Sequence, residues 1–150
     1  MIKAIAPGVF GGDGPCIVAD RDGPRIVAAA RACVGARFRA QGRCPDSGLD
    51  CVGLVLLAIG LDPAVAPPYA LGGDHADMLD AVLAEAGCQR VMTALPGDIL
   101  VLAPVPRLRH LAIVTQDGVV QAHAGLGRVV EGPLDPDWPC LAAWRAAGAR

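Results

Sequence analysis

Asp50-Cys51-Val52-Gly53-Leu54-Val55-Leu56-Leu57-Ala58 is the stretch whose reading decides the fold. A cysteine opens a run that is apolar nearly all round, so the run reads as a buried helix starting near Asp50 or Cys51. Working outward, the polar stretch 39–50 reads as a turn-rich loop. Before it, Pro24 can open a helix at its first turn. Ile26, Val27, Ala30, Val34 and Phe38 then recur at helical spacing, with Gly35 as the stop. After it, the Pro/Gly-rich stretch 61–73 is a connection. Asp74 can cap a third helix, with Met78, Leu79, Val82, Leu83 and Ala86 as its stripe and Gly87 as its stop. Short strands follow over 98–102, 111–115, 119–122, 128–131 and 141–144. Helices first and antiparallel strands second predict an α+β domain over residues 24–150, preceded by an irregular arm over 1–23. In that arrangement the N-terminal helices, the cysteine-bearing one included, pack on a C-terminal antiparallel sheet.

The 150 residues are 53% hydrophobic and 19% charged, which describes one globular domain with a real core. A formal net charge of −2, with no block of like charges, gives no reason to expect nucleic acid as a partner. The longest apolar run falls well short of the roughly 20 residues of a membrane span. The N-terminus lacks the apolar core of a signal peptide, so a cytoplasmic location in the producing cell is expected. The six cysteines are scattered without a CxxC pair and read as reduced thiols, with Cys33 and Cys88 as small core residues.

The chemistry turns on whether Cys51 meets His110 and His123. If Asp117 and Gly118 form a two-residue hairpin loop, Ala112 faces His123 and His110 faces Gly125. The two imidazoles are then diagonal neighbours on one sheet face, about 7–8 Å apart. One can act as a base and the other can orient it. A free thiol has a pKa of about 8.5. A helix start and a neighbouring imidazolium both favour the thiolate. Backbone N–H groups at the helix start can receive an oxyanion. His75 reads as a surface residue, and Trp138 and Trp144 as packing or lid residues.

These segments resemble the NlpC-type family of papain-like cysteine peptidases, which cleave peptidoglycan stem peptides. Gly48-Leu49-Asp50-Cys51-Val52-Gly53-Leu54-Val55 resembles the family's nucleophile motif, and Leu95-Pro96-Gly97-Asp98-Ile99-Leu100 its Pro-Gly-Asp turn into a strand. Arg109-His110-Leu111-Ala112-Ile113-Val114 resembles the strand of the general base, and Val120-Gln121-Ala122-His123-Ala124 that of the third polar residue. The resemblance implies a papain-like fold and a Cys51–His110–His123 triad. Asp50, Phe38 and Gln41 are placed at the substrate side. No cofactor and no metal are expected. Phe38 stands where the family often has Tyr near the oxyanion. Either another donor such as Gln41 substitutes, or activity is weakened.

The likeness is greatest to a phage-associated branch, which implies a stem peptide as substrate and other phage-tail or particle proteins as partners. The bond implied joins D-glutamate to a diamino acid. The same residues also suit an acyltransferase or another amidase. Two further alternatives are a zinc-binding module using Cys44, Cys51, His110 and His123, and a catalytically silent tail component.

Overall fold

The computed structural model describes residues 15–61 and 76–146, with side chains described over 23–61 and 79–146. The expected arm over 1–14, the connection over 62–73, the Asp74 cap and His75 lie outside them, as do the side chains of Cys16 and Met78. The described residues form three helices and two antiparallel sheets in the α+β order expected.

Helix α1 spans Pro15–Ala32 and buries Ile26, Val27 and Ala30, with Cys33 just beyond its end. The expected start at Pro24 is therefore corrected. The helix opens at Pro15, so residues 15–23 are helical and Pro24 lies inside. Either proline suits a first turn, where its missing N–H is no loss. An interior one costs about 3 kcal/mol and needs tertiary support. That support sits at Gly23, where a Cβ would stand 2.7 Å from the Pro96 carbonyl oxygen. The helix also stops before the end of the expected stripe. Val34 is 45% exposed, and Phe38 lies in a bridge to Leu49.

A two-stranded ribbon, β1 (Arg43–Cys44) and β2 (Gly48–Leu49), occupies what reads as plain loop. Helix α2 (Cys51–Ala58) follows at once and is buried along most of its length, as its all-round apolar run requires. Helix α3 (Ala76–Glu85) buries Leu79 and Leu83. Its end has the expected glycine stop: Gly87 N–H donates to Ala84 and Cys88 N–H to Leu83, with Gly87 at φ +87°.

The six-stranded sheet runs β3 (Gln89–Val91), β8 (Cys140–Arg145), β4 (Ile99–Leu102), β5 (His110–Thr115), β6 (Gly118–His123), β7 (Arg128–Gly132), with every pairing antiparallel. Five strands fall where the sequence puts them, and β3 is additional. Ile99, Val101, Leu111, Ile113, Val120 and Ala122 pack with the helices in one core. Leu100, Leu102, Ala112, Val114 and Val119 face a second cluster, against which Leu134 and Trp138 pack.

The β5–β6 hairpin differs from expectation by a two-residue slip. Thr115 pairs with Gly118 and Ile113 with Val120, so the loop is Gln116-Asp117 rather than Asp117-Gly118. Two contacts account for it. Thr115 Oγ1 accepts the Asp117 N–H at 3.2 Å and closes the turn early. Gly118, at φ +148°, lies where a Cβ would run into the Gly132 carbonyl, so this glycine serves the β6–β7 pairing. A slip of two keeps every side chain on its expected face, because strand side chains alternate with period two.

The Pro96-Gly97-Asp98 turn locks the sheet to the rest. Gly97 packs on Gly23 of α1, and its N–H donates to Val114. The Asp98 carboxylate is 2% exposed and accepts the Leu95 N–H at 2.8 Å. Arg145 grips both its oxygens, Nε at 2.9 Å and Nη2 at 2.7 Å. Removing one partner strands a buried charge. Arg145→Ala, which leaves the buried Asp98 carboxylate unpaired, should lower unfolding free energy by about 3–5 kcal/mol, measured by urea denaturation.

Candidate active site

Asp50 builds the nucleophile's setting. It is the N-cap of α2 and 1% exposed, and its Oδ1 accepts the Gly53 N–H at 2.8 Å. The same oxygen receives Arg43 Nη1 at 2.8 Å, which the β1–β2 ribbon delivers. Oδ2 accepts the Gln41 N–H at 2.8 Å, with Gln41 at φ +58°. Gly53 completes the fit: a Cβ there would run into the Gly42 carbonyl, so α2 approaches the loop more closely than any other residue allows. Cys51 is thereby fixed as the first residue of α2.

A cavity of about 490 Å³ opens beside it, lined among others by Phe38, Cys51, Arg109, His110, His123 and Trp138. The helix start and the two strands thus bring the three expected residues to one space. Within it the rings are ordered. His110 and Trp138 meet edge to face at 5.5 Å between centroids, and His123 stacks on Trp138 at 6.0 Å.

The hydrogen bond that holds His110 comes from a residue the sequence reading passed over. Gln121 Oε1 lies 2.8 Å from His110 Nε2. An amide oxygen only accepts, so Nε2 carries the proton and Nδ1 is the free basic nitrogen. Gln121 is 5% exposed. His123, expected as the orienting group, is held elsewhere, with the Leu126 N–H donating to its Nδ1 at 3.1 Å. A buried glutamine among Val, Ala and Val was the available signal, since a buried amide needs a partner. The hairpin slip hid it: in the observed register Gln121 comes within reach of His110.

No protein-family model matches the sequence, and no curated protein does. Among solved structures the chain is similar to the peptidoglycan hydrolase RipB of Mycobacterium tuberculosis, with a TM-score of 0.58 and 20% identity over 94% of this chain and 74% of that one. The fold is papain-like. At that identity the likeness speaks for architecture, and the chemistry rests on the side chains.

Their electrostatics differ from the expected activated thiolate. The Cys51 thiol is pushed up to about 12, first by burial and then by the Asp50 carboxylate. The Leu111 amide and Arg43 pull the other way and lose. Burial also pushes His110 below its ordinary 6.5, against the Gln121 hydrogen bond, while nearby His123 adds to the lowering. Both groups are therefore neutral at pH 7 in the unliganded cavity.

Of the residues placed at the substrate side, Phe38 lines the cavity and so does Asp50, whose oxygens are engaged in holding the loop. Gln41 is not among the residues lining the cavity, and its part is the backbone bond to Asp50. Cys44 is exposed on β1 and not among the cavity-lining residues, so the zinc set of Cys44, Cys51, His110 and His123 is not assembled. Among the described residues no group of three or more His, Cys, Asp or Glu could hold a metal.

Two solution measurements follow from this geometry. Replacing Gln121 by Leu removes a bond that raises the His110 pKa, so an NMR titration should find it lower still. In substrate-free protein at pH 7, iodoacetamide should label exposed Cys44 ahead of Cys51. The Cys51 rate should keep climbing past pH 9, with no plateau near 8.5.

Proposed function

We propose that the protein is a cysteine-type hydrolase of peptide amide bonds in the stem peptides of peptidoglycan. The observation that carries this is the shared cavity of Cys51 and His110, with the His110 tautomer fixed by Gln121. The likeness in fold to RipB, described as a peptidoglycan hydrolase, supports the substrate class. The sequence resemblance adds the bond between D-glutamate and a diamino acid, and delivery to the wall as part of a phage-type or gene-transfer particle.

In this reading Cys51 Sγ attacks the amide carbonyl as its proton passes to His110 Nδ1. A neutral pair at rest means that proton transfer accompanies attack rather than preceding it. The unpaired N–H groups at the start of α2 receive the oxyanion. His110 then protonates the leaving amine, and water resolves the thioester. Gln121 keeps the ring in the productive tautomer, and His123 stands in the cavity on Trp138. Phe38 contributes no hydroxyl to the oxyanion.

Purified wall fragments incubated with the protein and analysed by mass spectrometry test the reading directly. Cys51→Ala should abolish product, and His110→Ala should lose about 10²–10⁴-fold in turnover. Gln121→Ala should fall between His110→Ala and the unaltered protein, and His123→Gln should retain partial activity. Intact fragments after incubation with folded, unaltered protein would sink the proposal. Because the neutral imidazole is the base, kcat/KM should fall as pH drops through the lowered His110 pKa, below 6.5. It should stay level up to about pH 9, since the thiol is not lost to ionisation there.

Phe38→Tyr adds a donor to the cavity wall. It should raise turnover with KM nearly unchanged, by up to about 2.7–4 kcal/mol of barrier if well aimed.

A further inference from the structure

Several arginines have well-defined guanidinium contacts, and in Arg31, Arg43 and Arg145 a carboxylate is among the partners. Arg31 presents its Nε and Nη2 edge to Glu131, at 3.0 and 2.8 Å. Arg145 presents the same edge to Asp98, at 2.9 and 2.7 Å. That edge is a fork matched to two carboxylate oxygens. Arg109 is the exception. It precedes the proposed base, lines the Cys51 cavity and is half-buried. Its Nη1 is tethered to the carbonyls of Pro106 at 2.9 Å and Leu108 at 3.4 Å. Its Nε is enclosed by protein with no hydrogen-bond partner. Among the described residues no carboxylate pairs with it, so its charge stands uncompensated on the cavity wall.

A guanidinium on a cavity wall with no carboxylate partner is a charge that a bound anion would compensate. The tether on Nη1 holds the guanidinium in place through neutral carbonyls, which leave its charge unpaired. The surrounding wall is largely apolar, with Phe38, Leu108, Ala122 and Trp138, so an anion arriving there would be weakly screened. We propose that Arg109 is the carboxylate-binding residue of the Cys51 cavity, and that the substrate carries a free carboxylate beside the amide that is attacked. This rests on Cys51 being the nucleophile of the proposed hydrolysis, and it sets which stem peptides qualify. Those with the carboxylate adjoining the scissile bond are preferred over those with that group amidated.

One test needs no substrate. In a Cys44→Ser background at pH 9, Cys51 is alkylated with iodoacetate and with iodoacetamide, and the two rates are read by peptide mass spectrometry. The reagents differ in one carboxylate, so their rate ratio cancels any change in thiolate fraction. The ratio should fall about tenfold on Arg109→Gln and be largely kept in Arg109→Lys. A ratio unchanged by Arg109→Gln overturns the assignment. The second test compares L-alanyl-γ-D-glutamyl-L-lysine with its α-carboxamide. Amidation should raise KM about tenfold with kcat within about threefold, and Arg109→Gln should level the two peptides. If the alkylation ratio shifts and neither peptide is cleaved, the wall-peptide reading fails and the carboxylate site stands. If both peptides are cleaved alike by the unaltered protein and by Arg109→Gln, the hydrolase reading stands and the carboxylate site fails.

Discussion

The Asp50 carboxylate is the interaction on which the site depends. One side chain caps α2, pins the left-handed backbone at Gln41 and pairs with Arg43. All three bonds converge on the residue just before Cys51. Their joint effect is to fix where the sulfur points, since α2 is too short and too apolar to be oriented by its own surface. Gly53 then lets the loop and helix close on each other. Neutralising Asp50 would remove charge repulsion from the thiol, yet it would also release the loop that forms one wall of the cavity.

The fold was legible because its strongest signals are local. The all-round apolar run after Cys51, the glycine stop after α3 and the alternation of five strands each follow from short-range rules, and each stands in the structure. What escaped depends on distant partners. Pro15 and Pro24 are equally good openings for a helix, and the choice rests on Gly23 meeting Pro96, far along the chain. The hairpin slip is set in part by the pairing of Val119 with Gly132 on the next strand. Cys51, His110 and His123 were legible as neighbours because a two-residue slip leaves the faces intact. Gln121 was not, because its role exists only in the register the structure adopts.

The sheet is buried on both faces, and the site sits where the two cores meet. Cys51 packs with the helix side, while the histidines contact Trp138 of the other cluster. Trp138 also lines a second cavity, of about 500 Å³, together with Gln121 and His123. The indole therefore forms a common wall, and any shift of the 133–139 segment would be felt by both imidazoles at once.

A thiol held near 12 has a further consequence, for endurance rather than turnover. Peroxides and disulfides react with thiolate, and at pH 7 such a sulfur is almost wholly protonated. A thiol kept protonated beside Asp50 thus yields less readily to sulfenic acid and mixed disulfides than a thiolate would. The exposed Cys44 offers the oxidant an easier target. Reactivity belongs to the occupied cavity, and between encounters the nucleophile keeps as an unreactive thiol.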